Sequence, residues 1–195
     1  MVIFKSLLPP ITFPETDVYT FLVDRPVANP LKPVLVNGVT GEQILYRDFK
    51  SRIDHLAAGF QQQLGIREYD IVGIFSSNHI EFPLACFAAL RLGATLTLAN
   101  PTYTMDELNF QLTDSKPRYL FTLPELLETA VKAAAGTKVE KIFVLGSEAV
   151  GEVRSLRELE KAGKVEKLPK LAIKDAKTRT AFLCYSSGTT GTRAI

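Results

Sequence analysis

Residues 71–98 read IVGIFSSNHIEFPLACFAALRLGATLTL, and the fold is decided there. Ile71 to Phe75 is an unbroken apolar run bounded by polar residues, the pattern of a strand buried on both faces. The run from about Ile80 to Leu92 is helical and stops at Gly93. Pro83 belongs in or near its first turn, because deeper inside it would remove a hydrogen bond and kink the helix. Ala94 to Leu98 is apolar again. Strand, helix and strand joined by short connections describe a crossover between parallel strands.

The same alternation continues outward from this unit. Upstream, Val34 to Val36 and Gln43 to Leu45 flank Asn37-Gly38 and predict a hairpin, since Asn-Gly tolerates positive φ. Phe49, Ile53, Leu56, Phe60 and Leu64 form one apolar stripe on a helix that stops at Gly65. Downstream, Thr104 and Glu107 make a capping box that opens a helix with Leu108 and Leu112 inward. Pro117 ends that helix, and Arg118 to Thr122 reads as a strand. Pro124 opens a helix through Ala135, Lys141 to Leu145 is a strand, Ser155 with Glu158 caps a short helix, and Thr180 to Tyr185 is the last strand. This order predicts an α/β fold, a mostly parallel sheet with helices on both faces. Residues 1–33 hold six of the eleven prolines and read as an extended lead-in; residues 34–195 read as one domain.

Composition narrows the function classes. Of 195 residues, 46% are hydrophobic, enough for a buried core. The 23 basic and 21 acidic residues leave a net charge of +2, which provides no strong pull toward nucleic acid or an anionic membrane. The stretch Lys161 to Arg179 holds seven Lys or Arg among nineteen residues but no aromatic for base stacking, and reads as a solvated connection. No run approaches the roughly 18 apolar residues of a membrane span. Cys86 and Cys184 lie far apart in apolar segments and read as buried free thiols, which fits a reducing compartment. His55 and His79 lack a second ligand at metal spacing. Ser76 and Ser77 follow a strand, but G-x-S-x-G is absent. Asp106, Glu107 and Asp114 read as helix surface and capping.

The chemistry concentrates in Tyr185-Ser186-Ser187-Gly188-Thr189-Thr190-Gly191, directly after the last strand, where open α/β sheets place their ligands. Glycines three apart let the backbone turn tightly and bring its N–H groups near an anion. Two serine and two threonine hydroxyls add donors. The run has the makeup of a phosphate cradle, although by composition alone a Ser/Thr/Gly run is more often a flexible loop, because those residues are ordinary turn formers. It is not the P-loop fingerprint, and no G-x-G-x-x-G opens a βαβ unit.

This run resembles the Y-S-S-G-T-T-G-x-P-K-G phosphate loop of the adenylate-forming (AMP-binding) superfamily. Other segments agree in order. Leu45 to Phe49 is similar to L-T-Y-x-E-L. Asp70 to Asn78 with Glu81-Phe82 resembles D-V-V-x-x-x-x-x-N-x-x-E-F. Gly93-Ala94, Asn100-Pro-Thr-Tyr-Thr104 and Glu107-Leu108 resemble G-A-x-x-x-x-x-N-P-x-Y-T-x-x-E-L, the form of the coumarate–CoA ligase, acyl-CoA synthetase and luciferase-like branch.

The resemblance implies the first subdomain of the large N-terminal domain of such an enzyme. It implies activation of a carboxylic acid, of hydroxycinnamic or fatty acid type, by ATP with Mg²⁺, followed by transfer to coenzyme A. Ser186, Ser187, Gly188, Thr189, Thr190 and Gly191 would contact the β- and γ-phosphates, while Tyr185 packs beneath the loop. No catalytic residue carries over. After Gly191 the pattern departs, with Arg193 and Ala194 in the proline and lysine positions.

The chain therefore reads as an N-terminal fragment ending within its phosphate loop, inactive alone and prone to self-association through an uncovered apolar face. Its compartment reads as intracellular, cytoplasmic or peroxisomal. A non-catalytic interaction or regulatory remnant, and a stand-alone nucleotide-binding module, are the rival readings.

Overall fold

The computed structural model describes residues 7–12, 14–168 and 178–186. Regular structure begins inside the stretch expected to be irregular. The Asp17 carboxylate accepts the Thr20 backbone N–H at 2.8 Å and caps a short helix, Val18–Leu22 (α1). Five residues of helix do not persist alone; burial of Tyr19 and Val23 holds this one in place.

Strands Pro33–Val36 (β1) and Gln43–Leu45 (β2) pair antiparallel, as the hairpin pattern predicts. The turn differs from the expected one, because positive φ falls on Gly41 at 75°, not on Gly38. Asn37 instead accepts the backbone N–H groups of Val39 and Thr40 at 3.0 and 3.1 Å, which opens a longer Asx-type connection.

The long stripe becomes helix Tyr46–Gly59 (α2), continued by a π-wound turn, Phe60–Leu64, and closed by Gly65 at φ 68°. There follow Ile71–Phe75 (β3), Phe82–Arg91 (α3), Thr95–Ala99 (β4), Met105–Ser115 (α4) and Tyr119–Thr122 (β5). A 3₁₀ turn at Pro124–Leu126 leads into Leu127–Ala134 (α5), then Lys141–Val144 (β6), Leu156–Ala162 (α6) and Phe182–Leu183 (β7). Both expected capping boxes are present, Thr104 with Glu107 and Ser155 with Glu158. Lys116 leaves α4 at φ 54°, out of the α region that the following Pro117 disfavours.

The five-stranded sheet runs β6-β5-β3-β4-β7, and every pair in it is parallel. Alternate side chains sort its two faces. Val72, Ile74, Leu96, Phe121 and Phe143 point into one cluster with α2, α3 and α6. Phe75, Ala99 and Leu120 point into another, beneath Leu108 and Leu112 of α4 and Ala130 and Ala133 of α5. Phe60 stacks on Phe121 at 4.9 Å and Phe121 on Phe143 at 5.3 Å. Each such pair adds about 0.5–1.5 kcal/mol beyond the area it buries.

Helices α2 and α6 meet backbone to backbone. A methyl group on Gly59 would lie 2.0 Å from the Leu159 carbonyl oxygen, and one on Gly163 would lie 1.9 Å from that of His55. Beside this contact, the Arg52 guanidinium donates to Glu81 at 2.7 Å and to Glu160 at 2.9 and 3.0 Å. The second Glu81 oxygen accepts the Gly146 backbone N–H at 2.8 Å. Leaving one of these nearly buried charges alone would cost about 3–5 kcal/mol. The network therefore locks α2, the start of α3, α6 and the turn after β6 into one arrangement.

Since neither backbone at the α2–α6 contact can retreat without moving a helix, Gly59→Ala should lower stability by about 1–3 kcal/mol. The measurement is a urea melt, with a lower midpoint at unchanged slope expected. An unchanged midpoint would contradict the contact.

Candidate functional site

The carboxyl ends of the parallel strands share one edge of the sheet. Chain direction diverges there: β3 connects to β4 on one side, and the chain then returns to lay β5 on the other side of β3. Helix α3 covers one face and α4 the other, the arrangement in which open α/β sheets generally take a ligand at this edge. The loops that leave the edge are polar. Ser76 donates its hydroxyl to the Ser77 carbonyl at 2.7 Å, which commits it locally and leaves no nucleophile arrangement. After β4, the Asn100 side chain accepts the Thr102 N–H and hydroxyl at 3.0 and 2.9 Å and fixes the Asn-Pro turn.

Strand β7 points toward the same edge and leads into the candidate loop. Leu96 pairs with Phe182 and Thr97 with Leu183, so the strand is shorter than the expected Thr180 to Tyr185. Its register is fixed before the paired residues. The Thr95 hydroxyl donates to the Thr180 carbonyl at 2.8 Å, and the Leu96 N–H donates to the Ala181 carbonyl at 2.8 Å. Arg179 clamps the approach by stacking 4.3 Å over the Tyr69 ring, donating to the Gly93 carbonyl at 3.1 Å and pairing with Glu68. The basic stretch expected to be solvated is thus docked at its end.

Beyond β7, the Tyr185 hydroxyl donates to the Asp114 carboxylate on α4 at 2.5 Å. Partial burial, reinforced by that carboxylate, pushes the phenol up to about 12. Of the six candidate phosphate contacts, Ser186 is described and exposed after Tyr185. Ser187, Gly188, Thr189, Thr190 and Gly191 lie outside the described residues, as do Arg193 and Ala194.

Most of the motif residues upstream of the loop hold the scaffold together. Asp70 accepts the Arg67 N–H at 3.0 Å and pairs with Arg118 at 3.1 Å. Glu81 is the buried partner of Arg52. Thr104 and Glu107 cap α4. His55 is exposed and donates Nδ1–H to the Ser51 carbonyl at 2.8 Å, while His79 Nδ1 accepts the Glu81 N–H at 3.2 Å. Among the described residues, no group of three or more His, Cys, Asp or Glu is placed to hold a metal.

Two residues that anchor the chain around β7 were not singled out as such from the sequence. Asp114 lies in the last turn of α4 with nothing local to mark it, and Arg179 ends a run of lysines. The cysteines also divide. Cys86 is buried, and burial pushes its thiol up to about 12. Cys184, expected to be packed, is exposed because β7 is an edge strand among the described residues. A thiol reagent at mildly alkaline pH should therefore titrate Cys184 quickly in the native protein and Cys86 only after unfolding. Two fast thiols would contradict the packing of α3.

A model of the AMP-binding enzyme family matches residues 23–193. The chain is 30% identical to 4-coumarate–CoA ligase-like 8 of Arabidopsis thaliana over 96% of its own length and 34% of that protein's. It is 32% identical to the probable CoA ligase CCL5 of Humulus lupulus, over 97% and 34%. The peroxisomal OPC-8:0-CoA ligase 1 of Arabidopsis thaliana is 33% identical, over 94% and 32%. The chain thus spans about a third of the length of these curated relatives. Its fold is similar to an anthranilate CoA ligase, AuaEII, solved with anthranoyl-AMP, at TM-score 0.79 and 20% identity, over 93% of this chain and 34% of that one. It is also similar to ATP-bound MatB of Rhodopseudomonas palustris, at TM-score 0.74 and 22% identity, over 91% and 33%.

Proposed function

This chain belongs to the family of AMP-binding enzymes, and from that premise we propose that it serves as the N-terminal part of an ATP-dependent acid–CoA ligase. One observation carries the reading: a strand paired parallel at the switch-point side of the sheet leads straight into a run of hydroxyls and glycines. Such a run supplies donors for phosphate oxygens without a dedicated cation.

In the first half-reaction an oxygen of the substrate carboxylate bonds to the α-phosphorus of ATP. The bond to the bridging oxygen breaks, and pyrophosphate leaves with the electron pair. In the second half-reaction the coenzyme A sulfur, having lost its proton, bonds to the acyl carbon and AMP departs. The work assigned to this chain is to hold the departing phosphates. Ser186 and the N–H and O–H groups of Ser187, Gly188, Thr189, Thr190 and Gly191 would contact the β- and γ-oxygens and stabilise charge as it develops there. Magnesium bound with the nucleotide would neutralise phosphate charge; no described residue is assigned to hold it. No residue of this chain is assigned to coenzyme A or to the acid.

The substrate class is a hydroxycinnamic or fatty acid, in line with relatives named for coumarate and OPC-8:0. Among the described residues no helix is long and apolar enough to cross a membrane. Cytosol or peroxisome is the proposed compartment, the latter after the relative named as peroxisomal. Self-association would use exposed apolar side chains such as Phe110 of α4 and Val131 of α5.

Turnover is expected to need the remaining length that the relatives carry, so the test is a chimera. Residues 1–191 replace the matching part of the probable CoA ligase CCL5 of Humulus lupulus, and pyrophosphate release is followed with ATP and a panel of hydroxycinnamic and fatty acids. The chimera should turn over, and Thr189→Ala with Thr190→Ala should slow it by about 100-fold, the scale of losing preorganised donors. A folded chimera without turnover, beside an active parent enzyme, would contradict the reading.

A further inference from the structure

We propose that Asp114 is a positioning residue which acts through Tyr185 to fix Ser186, the first of the proposed phosphate contacts. The inference rests on the phosphate-binding reading given above and adds to it a residue from outside the loop. Four observations converge on it.

First, the pairing of β7 with β4 ends at Leu183, so Cys184 and Tyr185 follow the last paired residue of the strand. Second, the approach to β7 is already secured by Arg179, Thr180 and Ala181, and the strand needs no further anchor to keep its register. The Tyr185–Asp114 bond therefore lies on the wrong side of the strand to serve pairing and on the right side to serve the loop. Third, Asp114 stands on a rigid support. Its neighbours on α4 are tied down, Gln111 donating to the Thr97 hydroxyl and the Leu98 carbonyl at 2.9 and 3.2 Å, and Ser115 donating to the Gln111 carbonyl at 2.5 Å. Fourth, a tyrosine ring has two side-chain torsions, so bracing the chain with it costs little conformational entropy. A carboxylate acceptor makes the bond charge-assisted and short.

The sheet thus fixes where β7 begins, and α4 fixes where the chain emerges from it. Ser186 is one peptide unit beyond the brace, so a loss there displaces the first phosphate donor directly.

The experiment titrates the isotopically labelled 195-residue chain with MgATP up to millimolar concentration, following amide resonances around Ser186, beside a thermal melt of each protein. The unmodified chain should show saturable shifts. Tyr185→Phe and Asp114→Ala should each weaken binding by about three- to tenfold, the scale of one partly exposed charge-assisted hydrogen bond. The double variant should be no weaker than either single one, since both remove the same bond. Asp114→Asn, which keeps an acceptor oxygen, should restore affinity to within about twofold, and affinity should not track melting temperature across the set. Saturable binding by the unmodified chain with unchanged affinity in the variants overturns the brace and leaves the phosphate reading standing. Affinity losses that simply follow melting temperature, Asp114→Asn included, also overturn it. Absence of saturable shifts in the unmodified chain overturns the phosphate reading, and the brace with it.

Discussion

The candidate site depends on the lateral addition of β7 to β4. Two paired residues are a small contact for a strand, far short of what holds β3 between its neighbours. The addition persists because it is secured mainly outside the ladder. The Arg179 guanidinium lies across Tyr69, pairs with Glu68 and meets the Gly93 carbonyl, so one side chain ties the approach to β7 to the two loops that lead into β3 and β4. Arginine suits this role, since its planar fork can stack and donate at once where a lysine would do only one.

The rest of the molecule makes that anchorage rigid. A strand buried on both faces demands two helical layers, and β3 obtains them because its side chains alternate between the cluster under α2, α3 and α6 and the cluster under α4 and α5. The α2–α6 glycine contact and the Arg52–Glu81–Glu160 network hold the first layer. The Gln111–Thr97 bond fixes α4 to β4 on the second. Gln111 Oε1 is the one buried side-chain nitrogen or oxygen among the described residues without a hydrogen-bond partner. The other buried side-chain nitrogens and oxygens among the described residues have hydrogen-bond partners.

How much of this was legible in the sequence follows the range of each interaction. Local chemistry read correctly: the capping boxes at Thr104 and Ser155, the stop at Gly65, Pro83 in the first turn of α3, and the strand–helix alternation. Where a distant partner decides the outcome, the reading fell short. The α1 helix exists because Tyr19 and Val23 find a core that local propensity cannot foresee. One local reading also missed: the hairpin turn moved to Gly41 because the Asn37 side chain took up N–H groups two and three residues on. Cys184 is exposed because β7 is at an edge among the described residues, and no pattern in its own segment announces an edge. The motif residues were legible as a group, yet most of them build the scaffold, while Arg179, which secures the approach to β7, and Asp114, which accepts from Tyr185 beyond it, lie outside every motif.

Amide hydrogen exchange at Leu96 tests the central claim most directly. Its N–H donates to the Ala181 carbonyl, so it reports whether the strand that bears the loop is part of the sheet. Slow exchange at Leu96, of the same order as the amides of β3, is the predicted result. Rapid exchange at Leu96 while β3 stays protected would mean that β4 is a free edge and that the loop has no fixed place on this scaffold.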